Sequence, residues 1–339
     1  MNKASLRIAI VSDAYFPHIS GVARSIEATK DELTKRGHDV LIIAPRDYRF
    51  KVPMPAYGEI KLVLAPYRKL KRMLDAFQPD SIHISVEGPL GMAARKYAKK
   101  HDLHYTTAYH TRFPEYAKIY LGIPLSLTYK FARWFHDGAD SVMVAADSLK
   151  TDLEKWGFRN LVIWPRGVDG ELFSPEDPMV LREGKPIFMY MGRVAHEKNL
   201  EAFLSLDLPG TKYIVGDGPA RAHLEKKYTD AVFTGYKFGR ELARHLAAAD
   251  VFVFPSLTDT LGLVMLEANA CGTPIATLPS QASSAVVKEG ENGVVSEDLR
   301  DACVRALSLS RTRCREIALE NGWAKPAEMF LANLVPARA

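Results

Sequence analysis

From Arg7 onward the chain alternates short, continuously apolar runs with stretches of helical period, almost from end to end. Arg7-Ile8-Ala9-Ile10-Val11-Ser12 reads as a buried strand. Gly21 to Arg36 follows, with Val22, Ile26, Thr29 and Leu33 on one helical face, and Gly37 stops it. Val40 to Ala44 is a second strand closed by Pro45. Further strands are expected at Ile60 to Leu64, Ser81 to Ser85, His104 to Ala108, Ser141 to Ala145 and Leu161 to Trp164. Apolar strands without polar alternation need cover on both faces, and intervening helices supply it, so the pattern predicts a parallel α/β sheet.

The rhythm pauses at Pro165-Arg166-Gly167-Val168-Asp169-Gly170 and stays irregular through Ser174-Pro175-Glu176-Asp177-Pro178 to Lys185-Pro186. This Pro/Gly/charge cluster marks a linker over residues 166–185. A second series then begins, with strands near Ile187 to Met191, Lys212 to Val215, Ala231 to Thr234, Val251 to Phe254 and Pro274 to Thr277. Helices between them are expected at Asn199 to Leu206, Ala220 to Tyr228, Gly239 to Ala249 and Gly262 to Ala270. The 339 residues suit about two domains, here a lobe over 1–165 and another over 186–315. Two doubly wound, Rossmann-like lobes place a ligand cleft between the carboxyl ends of their sheets.

Composition narrows the classes. Hydrophobic residues at 47% and charged residues at 25% exclude a disordered, collagenous or coiled-coil chain. Runs such as Val40 to Ala44 and Val251 to Phe254 fall far short of the ~18 apolar residues of a membrane span. The N-terminus leads into a strand-like run rather than a signal-peptide core. Cys271, Cys303 and Cys314 have no metal-like spacing, which points to a reduced, cytoplasmic setting.

The net charge of +5 is unevenly divided: residues 1–165 carry 25 Lys+Arg against 17 Asp+Glu, and the remainder 20 against 23. An N-terminal half at +8 suggests an anionic partner. In Tyr67-Arg68-Lys69-Leu70-Lys71-Arg72-Met73-Leu74-Asp75-Ala76-Phe77 the apolar residues fall at helical spacing and the basic ones mostly on other faces. Such a segment is either a core-facing helix with a solvated basic side or a helix lying on an anionic membrane surface. No aromatic-interleaved basic groove accompanies the charge, so nucleic acid is not an expected partner.

Four strings carry chemistry. Met191-Gly192-Arg193-Val194-Ala195-His196-Glu197-Lys198-Asn199 ends a strand and opens a helix, and its two cations suit a diphosphate or form an ordinary surface pair. Val215-Gly216-Asp217-Gly218-Pro219 either lets backbone approach a ligand or makes a tight turn. Thr234-Gly235-Tyr236 occupies the corresponding edge of the next strand. In Thr258-Asp259-Thr260-Leu261-Gly262-Leu263-Val264-Met265-Leu266-Glu267, two carboxylates eight apart bracket a helix start. They are either sugar and ribose ligands or a helix cap with an ordinary helical Glu.

Together, Gly192-Arg193 with Lys198, Gly216-Asp217-Gly218-Pro219 and the acidic pair around Gly262 resemble glycosyltransferase family 4, over essentially the whole chain. Thr258-Asp259-Thr260-Leu261-Gly262 and Arg166-Gly167-Val168-Asp169 are most similar to its lipid-directed sulfoquinovosyl and mannosyl transferases. The first acidic residue, usually Glu, is Asp259 here, and Ser20-Gly21 stands where many members have two glycines.

The resemblance implies the GT-B fold and a retaining, metal-independent transfer of a hexose from a nucleotide diphosphate sugar. A UDP-sugar is favoured and GDP-mannose is the second candidate. Arg193 and Lys198 would bind the diphosphate, with Gly21 facing it from the first lobe and Gly192 and Gly216 lining the approach. Glu267 would hold the ribose, Asp259 with Thr260, Leu261 and Gly262 the sugar, and Gly235 and Tyr236 would flank the base. His110, after a strand in Ala108-Tyr109-His110-Thr111-Arg112, matches the active-site histidine, and Asp13, Tyr15, Glu87 and Arg112 fall on the acceptor side.

No metal or other cofactor is expected, since no His/Asp/Glu cluster has ligand spacing and the two cations do a divalent ion's electrostatic work. The acceptor would be a lipid or glycan, with peripheral attachment to the inner face of a membrane. Residues 316–339 would form the family's helix that returns to the first lobe. Two alternatives stay open: a nucleotide-sugar epimerase of the same fold, and a non-catalytic nucleotide-sugar binder.

Overall fold

The computed structural model describes residues 5–17, 20–54, 57–176, 178, 181, 184 and 186–338. Met1 to Ala4, His18 and Ile19 ahead of Gly21, and Asp177 and Lys185 of the expected linker lie outside the described residues, as do the side chains of residues 54 and 57–60.

The chain forms two units, one of residues 1–166 with 323–339 and one of residues 167–322. In the first, the order is β1 (Arg7–Val11), α1 (Gly21–Lys35), β2 (Asp39–Ile43), β3 (Lys51–Met54), β4 (Tyr57–Val63), α2 (Tyr67–Phe77), β5 (Ser81–Ile84), α3 (Pro89–Lys100), β6 (Thr106–Ala108), α4 (Phe113–Leu121), α5 (Leu125–His136), β7 (Ser141–Val144), α6 (Asp147–Lys155) and β8 (Leu161–Ile163). Six strands make a parallel sheet in the order β2-β1-β5-β6-β7-β8. Side chains alternate across a strand, so β1 serves two cores. Ala9 and Val11 pack with Leu70 and Leu74 of α2, Ala94 of α3 and Phe135 of α5. Ile8 and Ile10 pack with Ile26 and Leu33 of α1.

The strand expected at Ile60 to Leu64 belongs to β4, which pairs antiparallel with β3 in a separate two-stranded ribbon. Only two residues separate the two strands in sequence, and a parallel partner would need a crossover of a dozen or more residues.

The second unit runs β9 (Ile187–Met191), α7 (Leu200–Leu204), β10 (Thr211–Val215), α8 (Arg221–Lys227), β11 (Ala231–Gly235), α9 (Gly239–Ala248), β12 (Val251–Phe254), α10 (Leu263–Ala270), β13 (Ile275–Thr277), α11 (Gln281–Val286), β14 (Gly293–Val295), α12 (Leu299–Ala306) and α13 (Arg311–Leu319). Its parallel sheet has the order β11-β10-β9-β12-β13-β14. A final helix, α14 (Ala324–Asn333), packs on α1, with Phe330 in the same core as Ile8 and Ile10. In each sheet the strand order reverses beside the first strand, β1 or β9, and open α/β sheets bind ligands at the carboxyl ends flanking such a point.

The boundaries differ from those read in the composition. The amide of Val168 donates to Asn321 O at 2.8 Å, and Arg315 donates to the carbonyls of Phe173 at 3.0 Å and Gly170 at 3.1 Å. The stretch after Arg166 is thereby fastened to the second unit rather than left as a connector. Likewise α13 packs on α10, so the returning segment starts at Trp323 and not at 316. The three cysteines are buried and unbridged. No described helix is long and apolar enough to cross a membrane.

Candidate active site

In the second unit, two strand-end loops lie back to back. Gly192, Gly216 and Gly218 have φ of +149°, +148° and +154°, where L side chains are strained. A Cβ on Gly216 would sit 1.8 Å from Gly192 O, and one on Gly218 would sit 2.4 Å from Val194 O. The Val194 amide donates to Asp217 O at 2.8 Å, and the Ala220 amide donates to Val194 O at 3.0 Å. Close backbone approach, more than a tight turn, is what requires glycine here.

This interlock fixes the cations that follow. Tyr190 donates its hydroxyl to Arg193 O at 2.9 Å. Arg193 Nη1 lies 3.6 Å from Oε1 of the nearly buried Glu197. Lys198 Nζ donates to Asp259 Oδ1 at 2.6 Å, with the side chains 16% and 19% exposed. Thr258 Oγ1 donates to Glu197 O at 3.2 Å and Asn199 Nδ2 to Pro255 O at 3.1 Å, lacing the loop after β9 to the loop after β12.

Gly262 caps α10 at φ +73°, where a Cβ would come 2.8 Å from both Met265 Cε and Phe254 Cζ. The turn it allows leaves Asp259 and Thr260 half-buried and Leu261 buried ahead of the helix. Glu267, the fifth residue of α10, is 3% exposed. Its charge, after burial, helps push the Cys271 thiol up to about 12. Gly235 accepts the Gly216 amide at 2.9 Å, joining a third strand end to the group. Beyond it Tyr236 and Phe238 are exposed and stacked, their ring centroids 6.0 Å apart. Phe238 and Glu197 were not singled out in the sequence, where each is one residue of an unremarkable type.

The first unit gathers a different set at the ends of β1, β5, β6 and β8. His110 is 8% exposed, and Arg166 Nη2 donates to its Nδ1 at 2.9 Å. A guanidinium cannot accept, so Nδ1 is the acceptor and the ring proton sits on Nε2. Burial and then the Arg166 charge hold the imidazole well below its ordinary pKa, with His83 and His136 adding to the effect. Arg166 is itself anchored: Nη1 donates to Trp164 O at 2.6 Å, and the guanidinium lies 4.1 Å from the Trp164 ring centroid. Burial lowers it to about 9, so it stays cationic at neutral pH.

The other residues expected in this unit are each engaged by neighbouring side chains or backbone. Asp13 accepts the amides of Leu90 at 3.0 Å and Gly91 at 3.1 Å and so caps α3. Tyr15 is 1% exposed and donates its hydroxyl to Glu27. Arg112 is held by Glu115 and Asp152, each at 2.8 Å. Glu87 Oε1 lies 3.1 Å from His136 Nε2, which joins the strand end after β5 to α5. At α1, Ser20 Oγ accepts the Ala23 amide at 3.1 Å and the first turn has no acidic residue, so the positive end of the helix dipole is not neutralised locally. A Cβ on Gly21 would meet nothing within 4 Å. Among the described residues, no group of three or more His, Cys, Asp or Glu side chains is arranged to hold a metal ion.

Residues 19–172 match Glycosyltransferase Family 4, and residues 185–309 match Glycosyl transferases group 1. The chain is 33% identical to a GDP-mannose-dependent alpha-mannosyltransferase of Mycobacterium tuberculosis, over 80% of this chain and 78% of that one. It is 31% identical to the sulfoquinovosyl transferase of Arabidopsis thaliana, over 85% of this chain and 62% of that one. To the alpha-monoglucosyldiacylglycerol synthase of Streptococcus pneumoniae it is 26% identical, over 97% and 86%. Among solved structures, sucrose-phosphate synthase from Thermosynechococcus elongatus superposes with a TM-score of 0.76 at 18% identity, over 96% of this chain and 98% of that one. Two parallel-sheet units of this topology are those of the GT-B glycosyltransferases. The chain belongs to glycosyltransferase family 4, and as a member it is an enzyme that transfers hexosyl groups.

Proposed function

We propose that this chain is a retaining, metal-independent hexosyltransferase that moves a sugar from a nucleotide diphosphate donor to a membrane lipid or glycolipid. The observation that carries the reading is the ion-paired, glycine-interlocked loop system holding Arg193 and Lys198 at the carboxyl end of β9. The C1–O bond to the diphosphate breaks while the acceptor oxygen bonds C1 from the same face, and the acceptor proton passes to the departing phosphate oxygen. Charge on that oxygen grows along the way, and fixed cations stabilise it more in the transition state than in the ground state.

Glu267 would hold the ribose hydroxyls and Asp259 the sugar. His110, neutral and protonated on Nε2, acts as a hydrogen-bond donor to a sugar or acceptor oxygen rather than as a base. The lipid acceptor is supported by the likeness to an alpha-monoglucosyldiacylglycerol synthase. For the donor, the likeness to a GDP-mannose-dependent enzyme puts GDP-mannose beside the UDP-sugars favoured by the sequence strings.

Incubating the enzyme with UDP- and GDP-hexoses, with and without lipid vesicles, tests this reading. Nucleoside diphosphate release that needs lipid is expected. Interconversion of sugar nucleotides without acceptor would make the chain an epimerase, and binding with no turnover would make it a sensor.

A further inference from the structure

Among the described residues, five of the exposed large apolar side chains fall between positions 119 and 134, on the hairpin of α4 and α5. Leu127, Phe131 and Trp134 are 59%, 38% and 46% exposed and recur at helical spacing along the outer face of α5. Ile119 and Leu121 extend the patch onto the end of α4, next to the Gly122 turn. The opposite face of α5 is buried through Tyr129, Ala132 and Phe135, while on the outer face the Arg95 guanidinium lies 4.3 Å from the Trp134 ring centroid and Phe131 packs against Phe113, leaving the rest of these side chains outside the core.

The base of the hairpin is pinned by polar and ring contacts. Arg112 at the start of α4 bridges Glu115 and Asp152, Tyr129 donates its hydroxyl to Glu115 at 2.6 Å, and the Tyr129 ring stacks on Trp156 at 4.0 Å. Beyond Glu115, which is paired with Arg112, the charge of the hairpin is one-sided. Residues 118–136 contain Lys118, Lys130 and Arg133 and no Asp or Glu.

We propose that this hairpin face seats the protein on an anionic lipid bilayer. Aromatic and aliphatic side chains at helical spacing, flanked by basic ones, suit the headgroup boundary, where the first enter the acyl edge and the second meet lipid phosphate. A second copy of this chain is a poorer occupant, since a two-fold contact would set these basic groups against their own duplicates. Helix α2 is less suited to this task. Leu70 and Leu74 are fully buried, Lys71 is paired with Asp75 at 2.6 Å, and none of its apolar side chains is among the exposed large ones. It takes the core-facing alternative left open by its sequence. The hairpin also begins three residues after His110, so a bilayer at this face brings a lipid acceptor to the His110 end of the unit. The proposal rests on the lipid-acceptor reading for its purpose and not for its geometry.

The test uses the whole protein and vesicles of phosphatidylcholine with phosphatidylglycerol. The triple variant Leu127→Ser, Phe131→Ser, Trp134→Ser should lower the vesicle partition coefficient at least about tenfold, with a cooperative melt retained and nucleotide binding unchanged. A second variant, Lys118→Gln, Lys130→Gln, Arg133→Gln, should bind weakly and lose most of the salt dependence of wild type. Replacing Arg68, Lys69, Lys71 and Arg72 by Gln should change partition far less than either. Wild-type partition in both hairpin variants overturns the proposal. So does a wild type that ignores vesicles, or one that is a dimer which the triple variant splits. Lipid glycosylation with unaltered partition in the triple variant would sink this surface and leave the acceptor reading. Lost partition in that variant, from a wild type that glycosylates no lipid, would do the reverse.

Discussion

Lys198 Nζ lies 2.6 Å from Asp259 Oδ1, and both side chains are less than one-fifth exposed. The sequence motifs assign these residues separate tasks, diphosphate for the lysine and sugar for the aspartate. The ion pair joins the tasks, because whatever moves one carboxylate oxygen also moves the ammonium group.

Asp259→Asn and Lys198→Ala should therefore act non-additively on donor affinity. Each alone is expected to weaken binding roughly 10- to 150-fold, the worth of a hydrogen bond to a charged group. The double variant should fall well short of the product, with a coupling of about 0.5–3 kcal/mol. Calorimetry on the four proteins measures it, and additive losses would mean that the pair does not act as one element. Because Lys198 reaches the diphosphate in this scheme, Asp259→Asn also disturbs nucleoside diphosphate affinity, which a purely sugar-facing aspartate would leave alone.

Glu267 is the fifth residue of α10 and 3% exposed. Glu267→Gln should weaken the sugar nucleotide and the free nucleoside diphosphate by the same factor, since ribose is common to both. A loss confined to the sugar nucleotide would move Glu267 from the ribose to the hexose.

Arg166 and His110 set a pH dependence. Burial and the Arg166 charge hold His110 well below its ordinary 6.5, so the folded enzyme keeps the ring neutral as pH falls past that value. Its kcat is expected to show no histidine limb down to about pH 5. In Arg166→Gln the nearby positive charge is gone while burial remains, so the ring pKa rises but stays below its ordinary value, and an acid limb in kcat should appear at higher pH than in wild type. The same sign governs stability: a depressed imidazole pKa makes folding less favourable as pH falls below 6.5. The variant should lose part of that acid sensitivity in melts over this range. Superimposable profiles for both proteins would show that Arg166 does not set the state of His110.

Much of this fold is legible in the sequence because parallel strands covered on both faces leave uninterrupted apolar runs, and β1, β9 and β12 fall within a residue of where those runs predict. What escaped is short or locally ambiguous. β14 is three residues beginning with Gly293, too brief to carry a period. Ile60 to Leu64 looks like the other strands, and only its pairing with Lys51–Met54 makes it an antiparallel ribbon. The glycine loops of the site announce themselves by turn chemistry, but the opposing carbonyls that demand glycine belong to another loop. Asp13 and Tyr15 carry the right residue types at a strand end. Which amide or carboxylate takes up each polar group depends on α3 and α1, and spacing along β1 does not encode that.

The glycines separate fold from function. Gly216→Ala should cost at least about 2 kcal/mol, from positive φ and from a Cβ 1.8 Å from Gly192 O, and should lower the melting temperature by several degrees. Gly21→Ala, with nothing within 4 Å, should stay within about 0.5 kcal/mol of wild type. An equal melting temperature for Gly216→Ala and wild type would mean that the loops can part without loss.

The most direct test of the central claim is the steady-state turnover of Arg193→Ala, with Lys198→Ala beside it, under saturating donor and lipid acceptor. If both cations meet the charge that develops on the leaving diphosphate, kcat should fall about 10²–10³-fold in each, with a melting temperature close to wild type. Near-normal turnover in both variants would contradict the assignment of the diphosphate to these loops.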